Sequence, residues 1–112
     1  MVIGIKKWRC SICGEEIIEG QRFAQLGDAY VHLECVRRIT ASKLKAIPRD
    51  LEAIMDTLEA TLYALVRTKE ALSYASKSDV REILEKHLSM LEDQALILSI
   101  VVEGELRDAG VL

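Results

Sequence analysis

All three cysteines of the chain and one of its two histidines fall into two closely spaced pairs. The pairs are Cys10-Ser-Ile-Cys13 and His32-Leu-Glu-Cys35, so the spacings are Cys-x2-Cys and His-x2-Cys. A two-residue gap lets one tight turn direct both side chains of a pair towards a single ion. Three thiols and one imidazole complete the four-ligand tetrahedron of a structural Zn²⁺ site and leave no position for water or substrate. The spacing therefore predicts one structural Zn²⁺ per chain, bound by Cys10, Cys13, His32 and Cys35.

Other chemistries fit the same residues less well. A disulfide framework normally uses an even number of cysteines, and no signal peptide indicates an oxidising compartment. A redox-active Cys-x-x-Cys needs a βαβ context, which the helical remainder of the chain does not offer. The segment His32-Leu-Glu34 matches the His-x-Glu of zinc deaminases, in which Pro-Cys-x-x-Cys follows, whereas Cys10 and Cys13 precede it here. We therefore interpret Glu34 as an exposed carboxylate in the first turn of a helix.

The residues between and after the two pairs predict short strands followed by a helix. Residues 16–20 and 21–26 have the composition of extended segments, Gly27-Asp28 that of a turn, and residues 29–31 that of a returning strand. Apolar residues then recur with helical spacing from 33 to about 44. A knuckle, a hairpin and a helix whose first turn carries the second ligand pair together predict a treble-clef zinc finger.

The residues that define this finger are Cys10-x2-Cys13, Ile17, Gly20, Phe23, Gly27 and Tyr30-Val-His32-x2-Cys35. In this pattern the chain resembles one half of a LIM domain, and also the poly(ADP-ribose)-polymerase type of finger. With Lys7-Trp8 ahead of the finger and helices behind it, the whole layout is similar to a family of small archaeal proteins of unknown function. The resemblance implies binding to a protein, as in most LIM halves, or to DNA, as in the polymerase fingers. The chain differs from a LIM domain in having one set of ligand pairs instead of two.

The remainder of the chain is predicted to form a long antiparallel α-helical hairpin. Pro48, the only proline, favours a new helix from 48 to about 75. A second helix over about 80–107 follows a short turn, with Asp79 and Glu82 forming a variant of the capping box. Its apolar residues follow a heptad-like beat and form a predicted seam of Leu84, Leu88, Leu91, Ala95, Leu98 and Val102.

We therefore expect an α+β fold in two parts. Residues 1–46 form the zinc-binding finger, with the apolar residues 1–5 packed on it or added as a strand, and residues 47–112 form the hairpin. A finger of this size buries too little apolar surface to fold without its metal. There is no Asn and abundant Glu, Lys and Arg among the 112 residues, a composition typical of heat-adapted proteins. The longest apolar run, 95–102, is too short to span a membrane, and reduced thiols indicate the cytoplasm.

The charge distribution suggests a possible nucleic-acid surface. Residues 1–45 hold eight Lys or Arg against five Asp or Glu, whereas residues 46–112 hold seven against thirteen. Basic side chains neutralise phosphates and an indole can stack on a base. The candidate nucleic-acid-binding residues are Lys6, Lys7, Trp8, Arg9, Arg37, Arg38 and Lys45. The alternatives are that these cations are solvated and that Trp8 covers the core of the finger, and the basic excess is small for a dedicated nucleic-acid-binding domain.

The apolar segment 95–102 is hydrophobic nearly all round, so a lone hairpin cannot cover it. A second copy of the chain would bury it in a four-helix bundle, and packing on the chain's own finger is the alternative. No nucleophile with a partnered base, glycine-rich phosphate loop or open metal position is found. We therefore expect a non-enzymatic interaction or adaptor module without a small-molecule substrate, acting as a homodimer. Nucleic-acid binding by the finger is the second hypothesis.

Overall fold

The structure, a computed structural model, describes residues 6–112, so the prediction for residues 1–5 lies outside the described part. Two small antiparallel sheets are followed by three helices, which confirms the expected α+β class. The elements in chain order are β1 (Lys7–Arg9), β2 (Glu16–Ile18), β3 (Phe23–Leu26), β4 (Ala29–His32), α1 (Leu33–Leu44), α2 (Arg49–Tyr74) and α3 (Ser78–Asp108).

Each sheet of the finger is a two-stranded hairpin with one buried side. In the first, β1 pairs with β2 and Trp8 lies opposite Ile17, which is fully buried. In the second, β3 pairs with β4 and Ala24 lies opposite Val31, both of them buried. The turn between β3 and β4 contains Gly27 at φ 64°, a left-handed conformation that glycine adopts without steric cost. Because β4 runs directly into α1, the second ligand pair spans the junction of a strand and a helix.

The two long helices α2 and α3 pack on each other along most of their length. On α2 the buried positions recur every three or four residues, as expected for one mostly apolar face: Leu51, Met55, Leu58, Leu62, Leu65, Thr68 and Leu72. On α3 all six residues of the predicted seam are buried or half-buried. Within residues 6–112, none of the helices has a segment both long and apolar enough to cross a membrane.

The predicted start of α3 was wrong. The helix begins at Ser78, and Lys77 is its N-cap residue without a side-chain capping hydrogen bond. Asp79 therefore already has helical geometry, and its Oδ1 accepts a hydrogen bond from the N–H of Val80 at 3.0 Å. No capping box with Glu82 forms, because Asp79 lies inside the first turn. There its carboxylate still interacts favourably with the positive end of the helix dipole.

The finger packs on one side of the hairpin, and the two parts share a single apolar core. Buried residues of the finger such as Val31 and Leu33 belong to the same cluster as Met55 of α2 and Val102 of α3. The N–H of Gln25 in β3 donates a hydrogen bond of 3.1 Å to Oγ of the buried Ser99. The finger thus covers part of the apolar segment 95–102. Packing of this segment on the chain's own finger was one of the two arrangements that the sequence left open.

A cluster of ion pairs joins α1 to α2 at the same interface. The side chain of Arg37 is only 17% exposed, and its guanidinium contacts carboxylate oxygens of Glu52 at 3.0 Å, Asp56 at 3.2 Å and Glu59 at 2.6 Å. Burial alone would lower the pKa of Arg37, but hydrogen bonds and charge interactions with Glu52 and Glu59 outweigh it and raise the pKa. Arg37 therefore holds three carboxylates of one helix face together against the finger.

We predict that Arg37→Met lowers the free energy of unfolding of the metal-loaded protein by about 2–3 kcal/mol, because three neighbouring carboxylates lose their shared counter-charge. The matched control is Arg67→Met, since Arg67 pairs with Glu70 at 3.2 Å but is 63% exposed, and we expect a change within about 0.5 kcal/mol. Urea denaturation followed by circular dichroism measures both variants. Equal effects of the two substitutions would show that the Arg37 cluster does not hold finger and hairpin together.

Candidate metal centre

The four predicted ligands converge at one end of the finger, although they come from three different elements. Cys10 and Cys13 lie in the turn after β1, His32 is the last residue of β4, and Cys35 is in the first turn of α1. Their ligand atoms all lie within 4.8 Å of one another. Cys10 and Cys35 are buried and His32 is half-buried, whereas Cys13 is exposed. Among its four residues, the cluster is therefore most exposed to solvent at Cys13.

Backbone hydrogen bonds shape the turn that presents the first pair. The N–H of Gly14 donates to the carbonyl of Cys10 at 2.9 Å, and the N–H of Cys10 donates to the carbonyl of Glu15 at 2.8 Å. Gly14 has φ 78°, a left-handed conformation that would strain most other residues. The N–H of Ser11 donates to the carbonyl of Tyr30 in β4 at 3.0 Å. This last bond fixes the turn beside the strand that ends in His32.

The orientation of the His32 ring selects its ligand nitrogen. Nε2 lies 3.3 Å from the backbone carbonyl of Glu16, and a carbonyl can only accept a hydrogen bond, so Nε2 carries the proton. Nδ1 is then unprotonated and faces the sulfurs of Cys13 at 3.4 Å and Cys35 at 3.8 Å. A metal-binding histidine typically donates its other N–H to an oxygen in this way, which fixes both tautomer and ring direction.

The distances fit a tetrahedral ion. With metal–sulfur bonds of about 2.3 Å and metal–nitrogen bonds of about 2.0 Å, the sulfur–nitrogen edges of a tetrahedron measure about 3.5 Å and the sulfur–sulfur edges about 3.8 Å. The two separations between His32 and its neighbouring sulfurs bracket the first of these values. Since no pair of ligand atoms is farther apart than 4.8 Å, a contraction of about 1 Å or less brings all four into bonding range. The residues present can therefore hold a metal ion.

The electrostatics of the cluster also call for a cation. Burial opposes ionisation of Cys10, but the N–H groups of Cys13, His32 and Ile12 point at its sulfur and lower its pKa to about 6. Burial raises the pKa of Cys35 to about 12, and the neighbouring sulfurs of Cys13 and Cys10 add to the rise. One thiolate thus forms readily, whereas like charges and burial oppose ionisation at Cys35. A divalent cation at the centre removes that opposition, because it attracts all three sulfurs.

Trp8, one of the candidate base-stacking residues, packs inside the protein. Its ring is stacked on Tyr30 with centroids 4.9 Å apart and lies 4.8 Å from the ring of Phe23. These three aromatic side chains and Lys6 line a cavity of about 200 Å³ between the finger and the hairpin. Its wall also includes Glu19, which is paired with Lys69 of α2. Trp8 therefore packs at the contact between finger and hairpin.

The candidate basic residues do not share one environment. Lys7 lies 3.9 Å from a carboxylate oxygen of Glu16, and Arg9 donates a hydrogen bond of 2.6 Å to the carbonyl of Gly14 in the knuckle. Arg37 is half-buried among its three carboxylates. Arg38 and Lys45 are exposed, the latter at the C-terminal cap of α1. One member of the predicted set, Arg37, is thus directed into the protein.

Two contacts that position the centre were missed by sequence reasoning. The carbonyl of Glu16 orients His32, and no side chain signals a backbone acceptor. The structural role of Arg37 had a signal, because Glu52, Asp56 and Glu59 recur on one face of α2. That acidic face needs a basic partner when it is buried.

Fold and site together define a small α+β protein with a Cys₃His cluster suited to a metal ion. Residues 6–104 match the model of a family described as uncharacterized protein conserved in archaea (DUF2175). The match spans most of the chain, so the protein belongs to this archaeal family. Neither the curated proteins nor the solved structures yielded a match.

We predict that Cys13→Ala weakens Zn²⁺ binding by more than about 100-fold, because ligand removal costs more than the loss of an outer-shell contact. The near-ultraviolet circular dichroism of the packed Trp8 and Tyr30 should be lost with the metal. Ser11→Ala is the matched control, because Ser11 lies in the same turn and supplies no ligand atom. Competition titration with a chromophoric chelator measures the affinity. Tight binding of one ion by Cys13→Ala would contradict the assignment of this ligand.

Proposed function

We propose that the metal is Zn²⁺, that the finger is a treble clef, and that the protein is a non-enzymatic interaction module whose helical hairpin joins two copies of the chain. The observation that carries the proposal is the closed Cys₃His cluster on one side of a hairpin whose other side is apolar and exposed. The cluster stabilises a scaffold, and the hairpin offers a surface.

The donor set supports zinc. Thiolate and imidazole ligands at tetrahedral separations are typical of structural Zn²⁺ sites, whereas Mg²⁺, Ca²⁺ and Mn²⁺ prefer oxygen donors. The treble-clef assignment rests on the order of elements around the ligands. The knuckle between β1 and β2 carries Cys10 and Cys13, the β3–β4 hairpin follows and ends in His32, and the first turn of α1 carries Cys35.

A structural role for the metal follows from its coordination. Four protein donors leave no position for water or substrate, so the ion cannot act as a Lewis acid on a bound molecule. The burial of Cys10 and Cys35 adds to this closure. We further infer a reducing location such as the cytoplasm, which keeps the three thiols available for the metal. The ion-pair cluster around Arg37 and the lack of Asn support adaptation to heat.

Self-association is supported by the exposed apolar surface of the hairpin. Ile83 is 67% exposed and Ile97 is 58% exposed on α3. A series of large apolar side chains along one helix typically marks an interaction surface. The nucleic-acid hypothesis has less support, because Arg37 is neutralised inside the protein and Trp8 packs on Phe23 and Tyr30.

We predict that the zinc-loaded protein sediments with twice the 12.6 kDa mass of one chain. We also predict no binding to short single- or double-stranded DNA or RNA in fluorescence polarisation at low salt, where even non-specific phosphate contacts are strong. A monomeric mass at high protein concentration would refute self-association.

Micromolar binding that weakens log-linearly with salt would instead favour the nucleic-acid hypothesis. The variant Lys6→Glu with Arg38→Glu then serves as the control, since it should abolish such binding without unfolding the protein.

A further inference from the structure

Helix α3 carries a second apolar stripe, distinct from the seam that packs on α2. Its seven positions are separated alternately by three and four residues, which is the spacing of heptad positions a and d in a coiled coil. They are Val80, Ile83, His87, Met90, Gln94, Ile97 and Val101, and every one of them is exposed. We call this set the outer stripe. A regular stripe of this kind along most of a 31-residue helix is the pattern of a helix that has another helical neighbour.

The outer stripe lies on the side of the hairpin away from the finger. Successive residues of a helix are turned by about 100°, so Ile83 is about a quarter turn from the inner seam residue Leu84. On the opposite side of that seam, Ser99 and Leu106 are buried, and Ser99 bonds to the finger. Around the circumference of α3, the face that contacts α2 therefore lies between the outer stripe on one side and the face that contacts the finger on the other.

On α2, the same side of the hairpin carries small residues. The finger-facing side of α2 is marked by Glu52 and Glu59, which hold Arg37. Helical periodicity places on the other side of its inner seam a row of Thr57, Thr61, Ala64, Thr68 and Ala71. The hairpin face away from the finger thus combines a ridge of large side chains on α3 with a shallow strip of small ones on α2.

The size of this face matches a stable protein interface. At 1.5 Å per residue, the 26 residues of α2 and the 31 residues of α3 extend over about 39 Å and about 46 Å. Two helices side by side are about 20 Å wide, so the face covers roughly 800 Å². That value is close to the area which each partner contributes to a standard-size interface.

The order of residues in the outer stripe reads almost the same in both directions. Met90 is the central residue of the stripe. On each side of it comes first a polar residue, His87 or Gln94, and then two apolar residues. The flanking charges follow the same symmetry, since Lys86 precedes the centre and Asp93 follows it. If two copies of α3 run antiparallel, Lys86 of each copy lies near Asp93 of the other copy, which gives two equivalent ion pairs. This face is therefore complementary to itself in shape, polarity and charge.

We propose that a second copy of the chain docks on this face with α3 antiparallel to α3, about a two-fold axis near Met90, which gives a four-helix bundle with the two fingers on its outer sides. This inference rests on the proposed self-association and specifies the surface and direction that it uses. His87 and Gln94 provide the polar positions which fix the alignment, as polar residues at a positions do in coiled coils. The bundle buries the apolar side chains of the outer stripe and leaves both metal centres accessible.

The first test places charges in the outer stripe. Ile83→Glu combined with Ile97→Glu should weaken dimerisation of the zinc-loaded protein by at least about 100-fold, because four carboxylates enter an apolar interface. Tyr63→Glu is the matched control, because Tyr63 is 68% exposed on α2 outside the docking face, and it should leave the dimer intact. Sedimentation equilibrium gives the dissociation constants, and helicity and zinc content should stay unchanged because both isoleucines are exposed in the single chain.

The outcomes separate this inference from the proposal on which it rests. If the wild-type protein is a dimer and the double variant remains one, the docking face is wrong although self-association holds. If the wild-type protein is a monomer at every concentration, self-association fails and this inference fails with it. A wild-type dimer and a monomeric double variant with full zinc content support both.

A charge exchange tests the direction of the two helices. Lys86→Asp and Asp93→Lys should each weaken the dimer by about 3–10-fold, since each places like charges opposite one another. The combined variant should recover the wild-type dissociation constant. In a parallel pair, Lys86 lies level with Lys86 of the second copy and the combination restores nothing, so failure of rescue would refute the antiparallel arrangement.

Discussion

The convergence of four donor atoms on one point is the constraint on which the rest of the finger depends. The two sheets are two-stranded hairpins, which are marginal in water when isolated. The cluster joins the knuckle after β1 to the end of β4 and the first turn of α1. Burial and the neighbouring sulfurs raise the pKa of Cys35 to about 12, so a cation at the centre would favour the ionised, ligating form of this thiol. A metal bound there, as we propose, would act as the core that a finger of this size lacks.

Finger and hairpin are then coupled by contacts that neither part would make alone. Arg37 extends from α1 to three carboxylates on α2, Gln25 bonds to Ser99 on α3, and the apolar core is continuous across the boundary. The finger covers one side of the hairpin, and among the described residues α3 exposes large apolar side chains on the other side, such as Ile83 and Ile97. Under the proposed function, a bound metal would contribute indirectly, because it would fix the finger on one face of the hairpin and leave the opposite face for a partner.

The parts of this structure that could be predicted from sequence are those encoded in local spacing. Two pairs of ligands with a two-residue gap mark the cluster, and repeated leucines mark the two long helices. The strand β1 has no comparable signal, because Lys7-Trp8-Arg9 is short and mostly charged. The start of α3 was misplaced because Asp79 suits both an N-cap and a first turn. Arg37 was assigned to a nucleic-acid surface because its carboxylate partners lie far along the chain, and only the fold brings them together.

X-ray absorption at the zinc edge of the purified protein tests the central claim most directly, since it reports the donor atoms around the metal. We predict a four-coordinate ion with three sulfurs at about 2.3 Å and one nitrogen at about 2.0 Å, without a water ligand. A spectrum dominated by oxygen and nitrogen donors, or one with a bound water in place of a sulfur, would contradict a closed Cys₃His site. The structural role assigned to the metal would then have to be abandoned.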